Sequence, residues 1–310
     1  QGVGGNKQLL ELAAIGGNSF RTWGSENLER DLAEAVNRNM TVCAGIWLGH
    51  KRHGFDYGDA KAVADQKERV LATVKKFKDH PNLLLWGLGN EVELDGDDPN
   101  AWKAIDDLAK AVKELDPNHP TMTVIAEIGG NKIERLKTLC PNIDIVGINS
   151  YAGLASLPER LKAAGWTKPY IVTEYGPPGP WEVGKTEWGA PIEPTSSEKA
   201  LTYGNNYAKG IEKQPQCLGG YAFLWGHKQE ATSTWFRMML ETREKSGSVD
   251  FFAKTWGKPR ANQAPMLLQL ISPLASKKIP RGSPIEASVK ALDPNGDYLL
   301  IEPGIPGDGT

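Results

Sequence analysis

Two glutamates stand at the ends of apolar runs. Glu91 closes Trp86-Gly87-Leu88-Gly89-Asn90-Glu91, and Glu174 follows Ile171-Val172-Thr173. Two neighbouring carboxyl groups can divide labour if their surroundings differ. One, kept protonated, gives its proton to a leaving oxygen, while the other, kept ionised, attacks carbon. Other polar and aromatic groups occur at equivalent places, just after apolar runs: Arg21 and Trp23, Trp47 and His50, Asn90, Glu127, Asn149 and Tyr151, and Trp225.

For these residues to meet, one scaffold must gather the run ends. Strand-like segments at 19–23, 41–47, 82–89, 121–126, 143–149, 170–173 and 218–225 alternate with segments of helical period at 27–38, 60–78, 102–115, 132–139, 157–164 and 197–212. Gly2-Val3-Gly4, followed by a helix over 7–12, supplies an eighth strand. Repeating strand–helix units imply parallel β-structure, and eight of them predict an α/β fold, a closed (β/α)8 TIM barrel over residues 1–258. A doubly wound open sheet is the rival, but no glycine-rich phosphate loop follows the first strand. Residues 259–310 read as a linker and a short β-rich segment, like the opening strands of an immunoglobulin-type sandwich, with Ile285 to Val289 alternating as a half-buried strand does.

In such a barrel the functional groups lie at the C-terminal ends of the strands. The acids, the Arg, the Asn, the Tyr and several Trp therefore converge on one rim. That set suits glycoside hydrolysis, in which one carboxylic acid protonates the leaving oxygen and one carboxylate attacks the anomeric carbon. The Asn90-Glu91 ending resembles the strand-four motif of glycoside hydrolase clan A, and Thr173-Glu174-Tyr175-Gly176 resembles its strand-seven motif. The chain is similar to barrels of families 2, 5, 17 and 72. The resemblance implies Glu91 as acid/base, Glu174 as nucleophile, Asn90 on the sugar 2-hydroxyl and retention of anomeric configuration. It also implies Arg21 and Tyr151 as donors to Glu174, and Trp225 as the floor of the subsite. Glu91 is then expected to hold the proton and Glu174 the charge.

Several residues admit two readings. Glu127 serves either as a further sugar-binding carboxylate or as a rim salt bridge. Trp181 and Trp188, in the loop after the seventh strand, either stack on outer sugars or pin the loop. Lys228, Gln229 and Glu230 line the cleft or form a solvated turn. His50, His53 and Asp56 have too loose a spacing for a metal site, so His50 is expected to touch sugar or hold its loop.

The bulk numbers narrow the partners. The 310 residues carry 36 basic and 38 acidic side chains, a net charge of -2 that implies no basic face for nucleic acid. Ten tryptophans provide flat platforms for sugar faces. An oligosaccharide or polysaccharide, with a β-glucan or β-glucoside foremost, is thus the expected partner. A glucan transglycosylase and a non-catalytic sugar-binding barrel are the alternatives. No run approaches the ~20 apolar residues of a membrane span, and no signal peptide opens the chain; a polysaccharide substrate would place it outside the cytoplasm or in the periplasm. Cys43, Cys140 and Cys217 fit no metal spacing, so neither metal nor cofactor is expected. Cys140 and Cys217 can pair only if the fold joins them.

Overall fold

The structure is a computed structural model that describes residues 1–301 except Gly96, His227, Glu241 and Ser276, and the side chains of Leu94 and Asp95. Residues 302–310 of the expected C-terminal segment lie outside the described residues.

Eight parallel strands close into a barrel in chain order: β1 (Gly2–Gly4), β2 (Ser19–Arg21), β3 (Thr41–Ile46), β4 (Leu83–Asn90), β5 (Thr121–Ala126), β6 (Ile145–Asn149), β7 (Tyr170–Tyr175) and β8 (Cys217–Ala222). Pairing of β1 with both β2 and β8 completes the ring. Helices α1 (Leu9–Ala14), α2 (Leu28–Arg38), α3 (Ala60–Phe77), α4 (Pro99–Leu115), α5 (Lys132–Leu139), α6 (Leu157–Ala163), α7 (Ser196–Gly210) and α8 (Gly247–Thr255) follow the strands in turn.

The strands are buried on both faces, which explains their nearly unbroken apolar character. Outward residues such as Val42, Trp86 and Val146 pack with helix residues such as Leu32, Val70 and Leu108. A separate cluster of Cys43, Leu85, Met122, Val124, Ile145, Ile171 and Tyr221 fills the barrel interior. Gly147 faces the same crowded space, where an added Cβ would lie 2.8 Å from both Thr173 Cγ2 and Val124 Cγ2. A third cluster at the mouth joins Tyr151, Phe223, Leu224, Trp235 and Phe236.

Local chemistry starts the helices where the barrel needs them. Asp59 accepts from the amides of Lys61 and Ala62, Asp98 from Asn100 ahead of Pro99 at the start of α4, and Thr195 forms a capping box with Glu198. Helix α8 is absent from the sequence reading, although Val249, Phe252, Ala253 and Trp256 are spaced at the helical period and buried.

Past α8, β9 (Met266–Ile271) pairs antiparallel with β10 (Ser288–Leu292). This two-stranded sheet is smaller than the predicted sandwich opening, and its second strand starts at Ser288 rather than Ile285. Cys43, Cys140 and Cys217 are all free thiols. No described helix is long and apolar enough to cross a membrane.

Candidate active site

The mouth of the barrel holds a cleft of about 660 Å³ whose walls include Trp23, Asn90, Glu91, Asn149, Tyr151 and Glu174. The end of β4 shows how the backbone delivers one acid. Gly89 has φ of +78°, a conformation in which glycine carries no steric penalty, and the β4–β5 register shifts between Gly87 and Asn90. Glu91 itself has φ of +54°, in the left-handed region that few non-glycine residues enter, yet its N–H still reaches the Val124 carbonyl at 2.8 Å. The kink turns two consecutive side chains, Asn90 and Glu91, into one cleft.

Glu174, from β7, is held on both carboxylate oxygens. Arg21 Nη1 donates to its Oε1 at 2.9 Å and Trp23 Nε1 to the same oxygen at 2.7 Å, while Tyr151 Oη donates to Oε2 at 2.9 Å. Three donors, one of them a cation, fix both oxygens of a carboxylate that is 7% exposed. Burial pushes the Tyr151 hydroxyl far above its ordinary titration range, and the Glu174 charge adds to the effect, so Tyr151 remains a donor. Asn206 Nδ2 holds the carbonyls of Tyr151 and Gly176 at 3.1 and 3.2 Å, tying the β6 and β7 ends to α7.

Glu91 is in a different environment. Burial raises its pKa above the usual carboxylic range, and the nearby charge of Glu174 raises it further. One donor, Asn149 Nδ2 at 2.7 Å, works against that rise. Burial and a like charge thus favour the proton on Glu91, while three donors hold Glu174 in place, a contrast that suits an acid and a nucleophile.

Asn90 links the two. Its Oδ1 accepts from Arg21 Nη2 at 2.6 Å and from Asn149 Nδ2 at 3.2 Å, which leaves its own NH2 group to donate to a ligand.

The remaining predicted residues divide. Trp47, 38% exposed, and Trp181, 63% exposed, both line the cleft. Trp181 stands edge-on to Tyr151 at 5.7 Å between ring centres. Glu127 lines the cleft and is also a rim salt bridge, since Arg160 Nη1 donates to it at 2.7 Å and the Ser150 hydroxyl to its other oxygen. Lys228 and Glu230 line the cleft as an ion pair. Trp188 is exposed and lies outside the cleft.

Two expectations are corrected. Trp225 does not floor the cleft: it is 1% exposed, packed in the core with its indole N–H toward the Gln8 carbonyl at 3.4 Å. Phe223 and Leu224 face the cleft instead, because β8 ends at Ala222 and the chain leaves the strand alternation there. His50 does not reach the cleft either; it is 1% exposed and stacked under Trp47 at 4.9 Å, so it supports that platform.

The sequence reading placed Asn149 among the strand-end groups without giving it a role, and did not name Phe236. Asn149 was visible as a strand-end residue two places before Tyr151, whereas Phe236 comes from the irregular segment after β8, where no period marks direction. Among the described residues no cluster of His, Cys, Asp or Glu has metal-binding geometry.

Residues 40–184 match the family described as glycosyl hydrolases family 2, TIM barrel domain. The β-glucuronidase of Streptococcus agalactiae serotype V is 28% identical over 193 residues, covering 53% of this chain and 31% of its own length. The β-D-glucuronidase structure from Dictyoglomus thermophilum superposes with a TM-score of 0.63 at 17% identity, over 84% of this chain and 50% of that one. The family 2 β-galacturonidase of Eisenbergiella tayi bound to galacturonate gives a TM-score of 0.61 at 16% identity, over 81% and 46% of the two chains. At these identities the structures establish the fold, and the chain spans half or less of the length of each relative. The matched residues run from β3 through β7 and contain both glutamates, so the stretch that carries the two acids is similar to the family 2 barrel.

Proposed function

We propose that this barrel is the catalytic domain of a retaining β-glycosidase that works by double displacement. The observation that carries the reading is the contrast between its acids: three donors converge on Glu174, while burial and a like charge raise the pKa of Glu91. A Glu174 oxygen attacks the anomeric carbon as Glu91 passes its proton to the departing oxygen, leaving a glycosyl ester on Glu174. Glu91, now a carboxylate, takes a proton from water, and the water oxygen attacks the same carbon and frees Glu174. The Asn90 NH2 is placed to donate to a sugar hydroxyl beside the reacting carbon.

The relatives' names bear on the sugar. They point to uronides and lend no support to the β-glucan or β-glucoside expected from the tryptophans, so the substrate class proposed is a β-glycoside. A panel of aryl β-glucosides, glucuronides, galacturonides and galactosides identifies the glycone. An activated 2-deoxy-2-fluoro glycoside of that sugar should then add its mass to the peptide bearing Glu174. A label on another residue, or a product of inverted anomeric configuration, would sink the mechanism. Product analysis with an added oligosaccharide separates hydrolysis from sugar transfer.

A further inference from the structure

Asn149 occupies a singular place between the two acids. Its Nδ2 donates to Glu91 Oε1 at 2.7 Å and to Asn90 Oδ1 at 3.2 Å, and its Oδ1 accepts from the Thr173 hydroxyl at 2.8 Å. An amide turned by 180° would set its oxygen against Asn90 Oδ1, which can only accept. It would also offer Glu91 an acceptor, so that a protonated Glu91 would spend its proton on Asn149. In the observed orientation Asn149 donates to Glu91, and the acid's own proton stays free for the cleft. Asn90 Oδ1 thus sets the orientation, and Thr173, fully buried on β7 directly before Glu174, anchors the amide from the far side. Its carbonyl meanwhile accepts from Arg21 Nη1 at 3.1 Å.

We propose that Asn149 is a positioning residue that keeps the Glu91 proton aimed at the leaving-group oxygen, and that the Thr173 hydroxyl anchors the Asn149 amide in the place this requires. The proposal rests on Glu91 being the proton donor. It assigns Thr173 a task in proton delivery although the residue lies beneath the cleft wall.

Leaving-group dependence tests it. A dinitrophenyl glycoside departs without a proton, whereas a methoxyphenyl glycoside of the same sugar needs one. In Thr173→Val, which keeps shape and loses the hydroxyl, kcat/KM on the methoxyphenyl substrate should fall about 10- to 100-fold more than on the dinitrophenyl substrate. Asn149→Ala should show the same pattern more strongly, and Thr173→Ser should restore it. Carboxyl titration by NMR of protein labelled with ¹³C-glutamate adds a readout free of substrate: the Glu91 signal in Thr173→Val should titrate at higher pH, because a donor to its carboxylate is loosened. Should Thr173→Val fail to fold, Thr173→Ala carries the same test.

Equal losses on both substrates with an unmoved Glu91 titration would overturn the proposal. Glu91→Ala is the control that separates the two layers. If it shows no leaving-group dependence, the proton-donor reading falls and takes this proposal with it. If it does and Thr173→Val does not, only the role of Thr173 falls.

Discussion

Arg21 and Glu174 meet at 2.9 Å inside the barrel mouth with side chains only 2% and 9% exposed. The guanidinium fork spans two strands, reaching Glu174 from Nη1 and Asn90 from Nη2. Removing one partner of such a pair leaves a buried charge uncompensated. Arg21→Met should therefore lower stability by about 3–5 kcal/mol, read as a fall in urea midpoint. Arg21→Lys keeps the charge but cannot grip both acceptors, so its midpoint should fall less while kcat/KM still drops by about tenfold or more. A wild-type midpoint in Arg21→Met would deny the pair its structural role.

Glu91 gives a pH signature with a definite sign. Its folded pKa is raised, first by burial and then by the charge of Glu174. Stability from the protonated form is fully present below the unfolded carboxylic pKa and is lost as pH rises through the folded value. Glu91→Gln, which cannot ionise, should melt at the wild-type temperature in acid and above it at neutral pH. The alkaline limb of kcat/KM should lie at the raised Glu91 value, and Glu174→Gln should bring the Glu91 carboxyl titration down by removing the like charge. A melting difference that does not vary with pH would refute the assignment.

The barrel was legible in the sequence because eight apolar runs alternate with helical periods, and both acids were legible because each ends such a run. What escaped depends on geometry that periodicity does not encode. Trp225 was read as a strand-end platform, but the ladder stops at Ala222 and the chain then turns Phe223 and Leu224 to the cleft and Trp225 to the core. Trp23 was placed among the strand-end groups and does line the cleft; what escaped is that its indole N–H is a third donor to Glu174, an across-barrel relationship invisible at a separation of 151 residues. Asn149 reaches Glu91 across the intervening β5, from the end of β6 where the β6–β7 register shifts between Ile148 and Asn149.

Asn206 shows how a helix holds the site from behind. It lies on α7, and one buried amide satisfies two carbonyls at the ends of β6 and β7. Asn206→Leu fills a similar volume, leaves the Gly176 carbonyl without its donor and leaves the Tyr151 carbonyl to the Leu154 amide, which should cost about 1–3 kcal/mol. Because the Tyr151 carbonyl is one of the two, Tyr151 should lose its hold on Glu174, and kcat should fall while KM changes little. A variant with wild-type melting temperature and turnover would show that water replaces the amide.

Trp181 and Trp188 belong to the same loop and were indistinguishable in the sequence, yet the structure separates them. Trp181 lines the cleft and rests edge-on against Tyr151 and at 6.1 Å from Phe236, so its exposed face is backed by fixed aromatic rings. Trp188 is 52% exposed within the turn closed by the bond from the Gly189 N–H to the Thr186 carbonyl, and it is not among the residues that wall the cleft. Stacking on an aromatic face contributes about 0.5–1.5 kcal/mol beyond area, so Trp181→Ala should raise KM about 2- to 10-fold with kcat held within twofold. Trp188→Ala should leave both constants unchanged. Steady-state kinetics on one aryl glycoside compares them directly, and equal effects from the two substitutions would mean that the loop acts as a lid whose tip matters as much as its base.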